Sequence, residues 1–171
     1  MIFVTVGGQM PFDRMVRAVD EWALSAGRGD EVFMQIAGGE YVPRACGWVR
    51  LMSAPEFRAR VEASTALVAH AGMGSILTAL ELGKPILVMP RLGRLRETRN
   101  DHQVATAKAL LEKGKVHVAM DENELPAKLE AIGALRASER ISPWASDELL
   151  ASIRRFIWTE HEQTRGQSAR G

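Results

Sequence analysis

The sequence predicts a doubly wound α/β domain, a mostly parallel six-stranded sheet with helices on both faces. Three observations predict it. Short apolar runs recur at residues 2–6, 32–36, 48–52, 66–69, 86–89 and 116–119, as expected of strands buried on both faces. Stretches with helical spacing take turns with these runs, which implies parallel strands joined by right-handed crossovers. Glycines stand where a run ends, at Gly7-Gly8 and at Gly72-Met73-Gly74.

The elements follow in order. After the first run, Phe12, Met15, Val16, Val19, Trp22 and Ala23 recur at helical spacing, with Pro11 just inside the start and Gly27 just past the end. Ser53 followed by Glu56 forms a capping box for a helix through Phe57 and Val61. The fourth run gives way to a helix over residues 76–82. Gly83 closes it and Pro85 blocks its continuation into the fifth strand. Asp101 is placed to cap a helix through Val104, Ala107, Leu110 and Leu111 to Gly114. Asp121 with Glu124 repeats the capping box for residues 125–132. Ser146 opens a last helix whose Leu149, Leu150, Ile153, Phe156 and Ile157 share one face. That face, ending in Trp158, either docks a partner or packs back on its own sheet. One domain over residues 1–160 is expected, followed by a polar, disordered tail over 161–171.

Composition narrows the function classes. At 171 residues and 46% hydrophobic, the chain can bury one substantial core. Lys and Arg total 22 against 21 Asp and Glu, so no global field recruits nucleic acid. The single cysteine, Cys46, cannot form an internal disulfide, and the first strand begins directly after Met1 with no signal peptide. These features point to the cytosol. No apolar run is long enough to cross a bilayer, so any membrane role needs a partner or surface docking. The four histidines include no pair at metal-ligand spacing, and no metal is expected.

The junction His70-Ala71-Gly72-Met73-Gly74-Ser75 carries the chemistry. A helix start leaves backbone N–H groups unpaired and carries partial positive charge, and glycines let a phosphate approach the backbone. A Walker A loop is disfavoured because Gly-Ser-Ile stands where Gly-Lys-Ser/Thr is required. A dinucleotide fingerprint lacks its third glycine and would follow the first strand, not the fourth. Ser75 can cap the helix or donate to phosphate. His70 either donates to a phosphate oxygen or orients the turn as a satisfied structural residue. A second strand-to-helix junction, Asn100-Asp101-His102-Gln103, would face the same crevice. Between the two lie Arg91, Arg94, Arg96 and Arg99 with Glu97. They form either a solvated loop or a flexible clamp for a sugar carboxylate, with Arg91 and Arg96 the preferred candidates.

Together with Phe3-Val4-Thr5-Val6-Gly7-Gly8, Pro11-Phe12-Asp13-Arg14, Gly83-Lys84-Pro85 and Pro90-Arg91, these junctions resemble the C-terminal, donor-binding half of the family 28 GT-B glycosyltransferases. The resemblance covers residues 2–119 and is strongest to small stand-alone subunits of two-subunit enzymes. These include the eukaryotic dolichol-linked N-acetylglucosamine transferase and, closer still in motif, the bacterial exopolysaccharide glucuronosyltransferases. It implies diphosphate binding by His70, Ala71, Gly72, Met73, Gly74 and Ser75, and sugar contacts from His102 and Gln103. Relatives hold the ribose with a glutamate three residues after the loop serine. Here Thr78 stands in that place, and Glu81 is the alternative.

The resemblance also implies a catalytic subunit that binds a UDP-sugar, with glucuronic acid the expected sugar, for transfer to a lipid-linked acceptor in exopolysaccharide synthesis. The UDP-sugar is the donor substrate and no cofactor is needed. A membrane-anchored, acceptor-binding partner would recruit the chain to the cytosolic face, supply the base that deprotonates the acceptor, and be required for activity. The alternative is a non-catalytic nucleotide-sugar-binding module acting as regulator or scaffold. A GT-B epimerase is disfavoured because such enzymes carry both halves in one chain.

Overall fold

The computed structural model describes residues 1–142 and Ala151. Met1–Ile141 form one compact unit, and the chain's second unit is Ser142–Gly171. The expected last helix at 146–158, the boundary at 160 and the tail therefore lie outside the described residues.

Six strands form one sheet: β1 (Ile2–Thr5), β2 (Val32–Gln35), β3 (Gly47–Val49), β4 (Ala66–His70), β5 (Ile86–Met89) and β6 (His117–Val118). Their order is β3-β2-β1-β4-β5-β6, and every pairing is parallel. This is the order of the Rossmann fold, whose ligands bind beyond the carboxyl ends of the strands where the order reverses. Here that point lies between β1 and β4. The helices are α1 (Asp13–Ser25), α2 (Ala54–Ala63), α3 (Met73–Leu82), α4 (His102–Glu112) and α5 (Leu125–Glu130).

The pleat of the central strand sorts the core into two layers. Ile2, Val4 and Val6 pack with Met15, Val19 and Trp22 of α1 and Leu125 and Leu129 of α5. Phe3 turns to the other face, among Val61 of α2, Ile76 and Leu80 of α3, and Ala107 of α4. Each fully buried large side chain contributes about 1.5–3 kcal/mol, so a one-residue slip of β1 would reverse both layers at once.

Local chemistry sets the element ends. The capping box at α2 has both arms, with Glu56 N–H donating to Ser53 Oγ at 3.4 Å and Ser53 N–H to Glu56 Oε2 at 2.7 Å. Gly83 ends α3 in the left-handed region at φ 62°, where a side chain is strained. At α5 the reciprocal pair is shifted by one residue. Asp121 Oδ1 accepts from Glu124 N–H at 3.1 Å, whereas Glu124 Oε2 accepts from Met120 N–H at 2.9 Å.

Three expectations are corrected. Pro11 lies before α1, which begins at Asp13, because the Pro11 carbonyl is turned to the Arg91 guanidinium. Asp101 stands at the start of α4 without capping it. Its carboxylate accepts instead from Gly93 N–H at 2.8 Å, tying down the β5–α4 loop. Finally, the crossover from β2 to β3 contains no helix. Residues 36–46 are held by the buried Asp20 carboxylate, which accepts from Tyr41 OH at 2.8 Å and from the N–H groups of Arg44 and Ala45 at 2.8 and 3.0 Å. Burial works against the Asp20 charge, and these donors overcome it, holding its pKa below the ordinary range.

Candidate functional site

A cleft of about 1080 Å³ opens at the carboxyl edge over the reversal of strand order. Its walls come from the turn after β1, the starts of α3 and α4, and the segment from Met52 to Phe57. Both strand-to-helix junctions identified in the sequence therefore meet in one cavity. Gly74, Ser75 and Thr78 line it from α3, and His102 and Gln103 from α4.

The start of α3 is open. Gly72 occupies the cap position and has no side chain to satisfy the first-turn N–H groups. Ser75 is the third residue of the helix, not its cap, and is buried in the cleft wall. Of its two possible uses, capping is removed by position, and its hydroxyl is left to a ligand. Unpaired N–H groups, the helix dipole and the bare Gly74 are together suited to receive an anion.

His70 ends β4 beneath this turn, and its imidazole is wedged between two glycines. A Cβ on Gly7, whose φ is 78°, would meet the ring Cε1 at 2.7 Å, and one on Gly72 would overlap Nε2. Burial, then the nearby Arg91 charge, draws the His70 pKa down to about 4, against a contact with the Thr5 backbone. The ring is therefore neutral at physiological pH. Its Nδ1 is buried without a hydrogen-bond partner among the described residues, so the ring is not a fully satisfied structural residue.

His102 and Gln103 are oriented differently. The His102 ring Nδ1 and backbone N–H both meet Asn100 Oδ1, the latter at 3.2 Å. With Nδ1–H donating, Nε2 becomes the free acceptor. Gln103 is buried, and its Oε1 accepts from Arg91 N–H at 3.2 Å. The Nε2 amide is thereby the group left to donate to a ligand.

The arginine segment departs from expectation. Arg91 is no flexible clamp: it is 3% exposed. Its Nη2 donates to the carbonyls of Val6 at 2.7 Å and Met10 at 2.6 Å, and its Nη1 to those of Pro11 and Glu97. A fork occupied by four carbonyls cannot grip a carboxylate. Arg96 is exposed, holds a left-handed φ of 58° and does not line the cleft. Glu97 pairs bidentately with Arg14 at 2.8 Å rather than with the loop arginines. Arg99, which is exposed, lines the cleft along with the buried Arg91. Glu81, the alternative ribose contact, faces Arg58 of α2 at 3.4 Å and lies outside the cleft lining. Thr78 lines the cleft, with its hydroxyl donating back to Gly74 O at 2.9 Å.

Sequence reasoning passed over Thr5 and Gln35. They are paired in the β1–β2 register, and the buried Thr5 hydroxyl donates to Gln35 Oε1 at 2.7 Å. The signal was present as one polar residue inside each of two adjacent apolar runs. Phe57 and Met52 supply an apolar wall beside them. Among the described residues no group of three His, Cys, Asp or Glu side chains is arranged to hold a metal.

A Rossmann-ordered sheet with two helix starts facing one switch-point cleft is the architecture of a GT-B glycosyltransferase half. The chain belongs to the glycosyltransferase family 28 C-terminal domain, which matches residues 1–140. The UDP-N-acetylglucosamine transferase subunit ALG13 of Cryptococcus neoformans var. neoformans serotype D is 43% identical over 70 residues, covering 40% of this chain and 33% of that protein. The match thus spans about a third of that relative's length. The solution structure of ALG13 superimposes with a TM-score of 0.55 at 19% identity, over 89% of this chain and 93% of that one. The glycotransferase of kitacinnamycin gives 0.56 at 21% identity, over 78% and 33%. At these identities the structures are similar in fold.

Proposed function

We propose that this chain is the donor-binding subunit of a two-subunit glycosyltransferase that takes a UDP-sugar. The observation that carries the reading is the uncapped start of α3 lining the same cleft as Gln103. The diphosphate sits on the α3 N–H groups with Ser75, and the sugar reaches toward His102 and Gln103. As the acceptor hydroxyl attacks the anomeric carbon, negative charge grows on the leaving diphosphate. Helix-end N–H groups already aimed at it stabilise that charge without reorganising. The acceptor base and acceptor site come from a membrane-anchored partner acting on a lipid-linked sugar at the cytosolic face. No helix among the described residues is long and apolar enough to cross a membrane.

The finer reading of the donor is glucuronic acid, in exopolysaccharide synthesis. It is supported by the resemblance of the Pro11-Phe12-Asp13-Arg14 and His70–Ser75 motifs and by Arg99 in the cleft wall. The similarity to a UDP-N-acetylglucosamine transferase subunit makes UDP-N-acetylglucosamine the competing donor. The test is transfer from each UDP-sugar to a lipid-linked acceptor, with and without the membrane-anchored partner. Transfer from UDP-glucuronate is expected only with the partner present. Binding of UDP-sugars without transfer in either case would instead support a regulatory module, and transfer by the chain alone would overturn the two-subunit reading.

Gln103→Ala is expected to weaken the sugar nucleotide several-fold beyond its effect on UDP, since one hydrogen bond is worth about 0.5–1.5 kcal/mol. Calorimetric titration of both ligands measures the difference. The orphaned Arg91 N–H lowers stability as well, by about 1–3 kcal/mol, but affects both ligands alike. Equal losses for the two would place Gln103 away from the sugar.

A further inference from the structure

We infer that Arg91 is a positioning residue: its guanidinium clips the turn over residues 7–10 into a fixed wall of the cleft, and its backbone N–H sets the Gln103 amide. The inference rests on the cleft being the sugar-nucleotide site. Arg91 follows β5 after one residue, Pro90, so its backbone is held close to the sheet edge. From there Nη2 holds Val6 O and Met10 O, one on each side of the turn, and Nη1 reaches Pro11 O. The Phe12 ring lies 4.8 Å from the guanidinium carbon and closes the site from beneath. Glu97 completes the clip from the loop side, accepting from Leu92 N–H at 2.9 Å and from Arg14.

A guanidinium suits this task where an ammonium does not. Four carbonyls lie around a planar fork with five donors, whereas lysine offers three donors from a single nitrogen. Other contacts hold only the start of the turn, where Gly7, at φ 78°, donates its N–H to Thr5 Oγ1 at 3.1 Å and lies against the His70 ring; Gly8 and Gln9 are exposed. Preorganising such a turn removes the ordering cost from ligand binding. One residue thereby couples the wall after β1 to the Gln103 group of α4.

Hydrogen–deuterium exchange of residues 7–12, with calorimetric titration of UDP-glucuronate and UDP-N-acetylglucosamine, tests this on wild type, Arg91→Lys, Arg91→Met and the exposed control Arg94→Ala. Arg91→Lys keeps the charge and preserves folding if the methionine variant does not. Expected are at least tenfold faster exchange in the turn of Arg91→Lys, about tenfold weaker binding of whichever sugar nucleotide the wild type takes, and renewed protection of the turn on saturation. Arg94→Ala matches wild type in both readouts. Wild-type exchange in the turn of Arg91→Lys overturns the clip, and weakened binding with unchanged exchange makes Arg91 a direct ligand contact instead. If wild type binds neither sugar nucleotide, the site reading fails, while exchange still decides whether Arg91 holds the turn.

Discussion

Replacing Gly74 with valine leaves the fold intact and lowers UDP affinity by more than about tenfold, because the phosphate sits where the glycine has no side chain. A Cβ at Gly74 meets nothing within 4 Å, so the substitution strains no contact of the protein itself. Valine also costs less than glycine within a helix, and thermal unfolding is expected at or slightly above the wild-type temperature. The loss is therefore confined to the ligand. Calorimetric titration with UDP measures it, and unchanged affinity would remove the start of α3 from the site. Gly72→Ala makes a useful contrast. There the new Cβ overlaps the His70 ring, so stability and affinity fall together.

Acidification should destabilise the protein through His70. Its folded pKa of about 4 lies below the ordinary value of 6.5. Between these values the unfolded chain binds a proton that the folded chain does not, so stability falls as pH drops from about 6.5 to about 4 and then levels off for this group. The gap is worth up to about 3 kcal/mol. Urea unfolding at intervals from pH 7 to pH 4 follows the decline. His70→Asn shifts the whole curve by its own packing change, yet its slope in this window should be shallower by most of that amount. Equal slopes would mean that the ring takes up its proton without resistance inside the fold.

Much of this arrangement was legible because local chemistry and global fold agree. The six runs became strands within one to three residues at each end, since an apolar run between turn residues has few other places to go. Both junctions were recognised by glycines and small polar residues that helix starts require. Arg91 was misread for a physical reason. Charge spacing marks a solvated segment only when the charges are solvated, and nothing in the row of arginines reveals that one of them turns back onto the carbonyls of the segment after β1. Asp101 failed as a cap on similar grounds, because Gly93 N–H competed for its carboxylate. The loop over residues 36–46 hides its order in remote side chains: Asp13 and Asp20, which the helical periodicity of α1 marks only as helix positions, and Arg50, which donates to the carbonyls of Ala37 and Gly39. Glu81 illustrates the opposite limit: helical spacing places it near the loop, and only the packing of α2 against α3 turns it toward Arg58.

The position of β1 also governs when the molecule can be completed during synthesis. It pairs with β2 on one side and with β4 on the other, joining Ile2 to Val32 and to Ala66. At about 5–20 residues per second, the ribosome takes several seconds to deliver the second neighbour after the first strand has emerged. Throughout that interval a strand buried along its whole length in the finished fold has one edge without a partner, exposed to chaperones or to other nascent chains. His70 arrives at the end of β4, so the wedge against Gly7 can form only when that edge closes. The wedge beneath the start of α3 and the protection of the β1 edge are thus acquired in the same step, before the α4 wall of the cleft has been made.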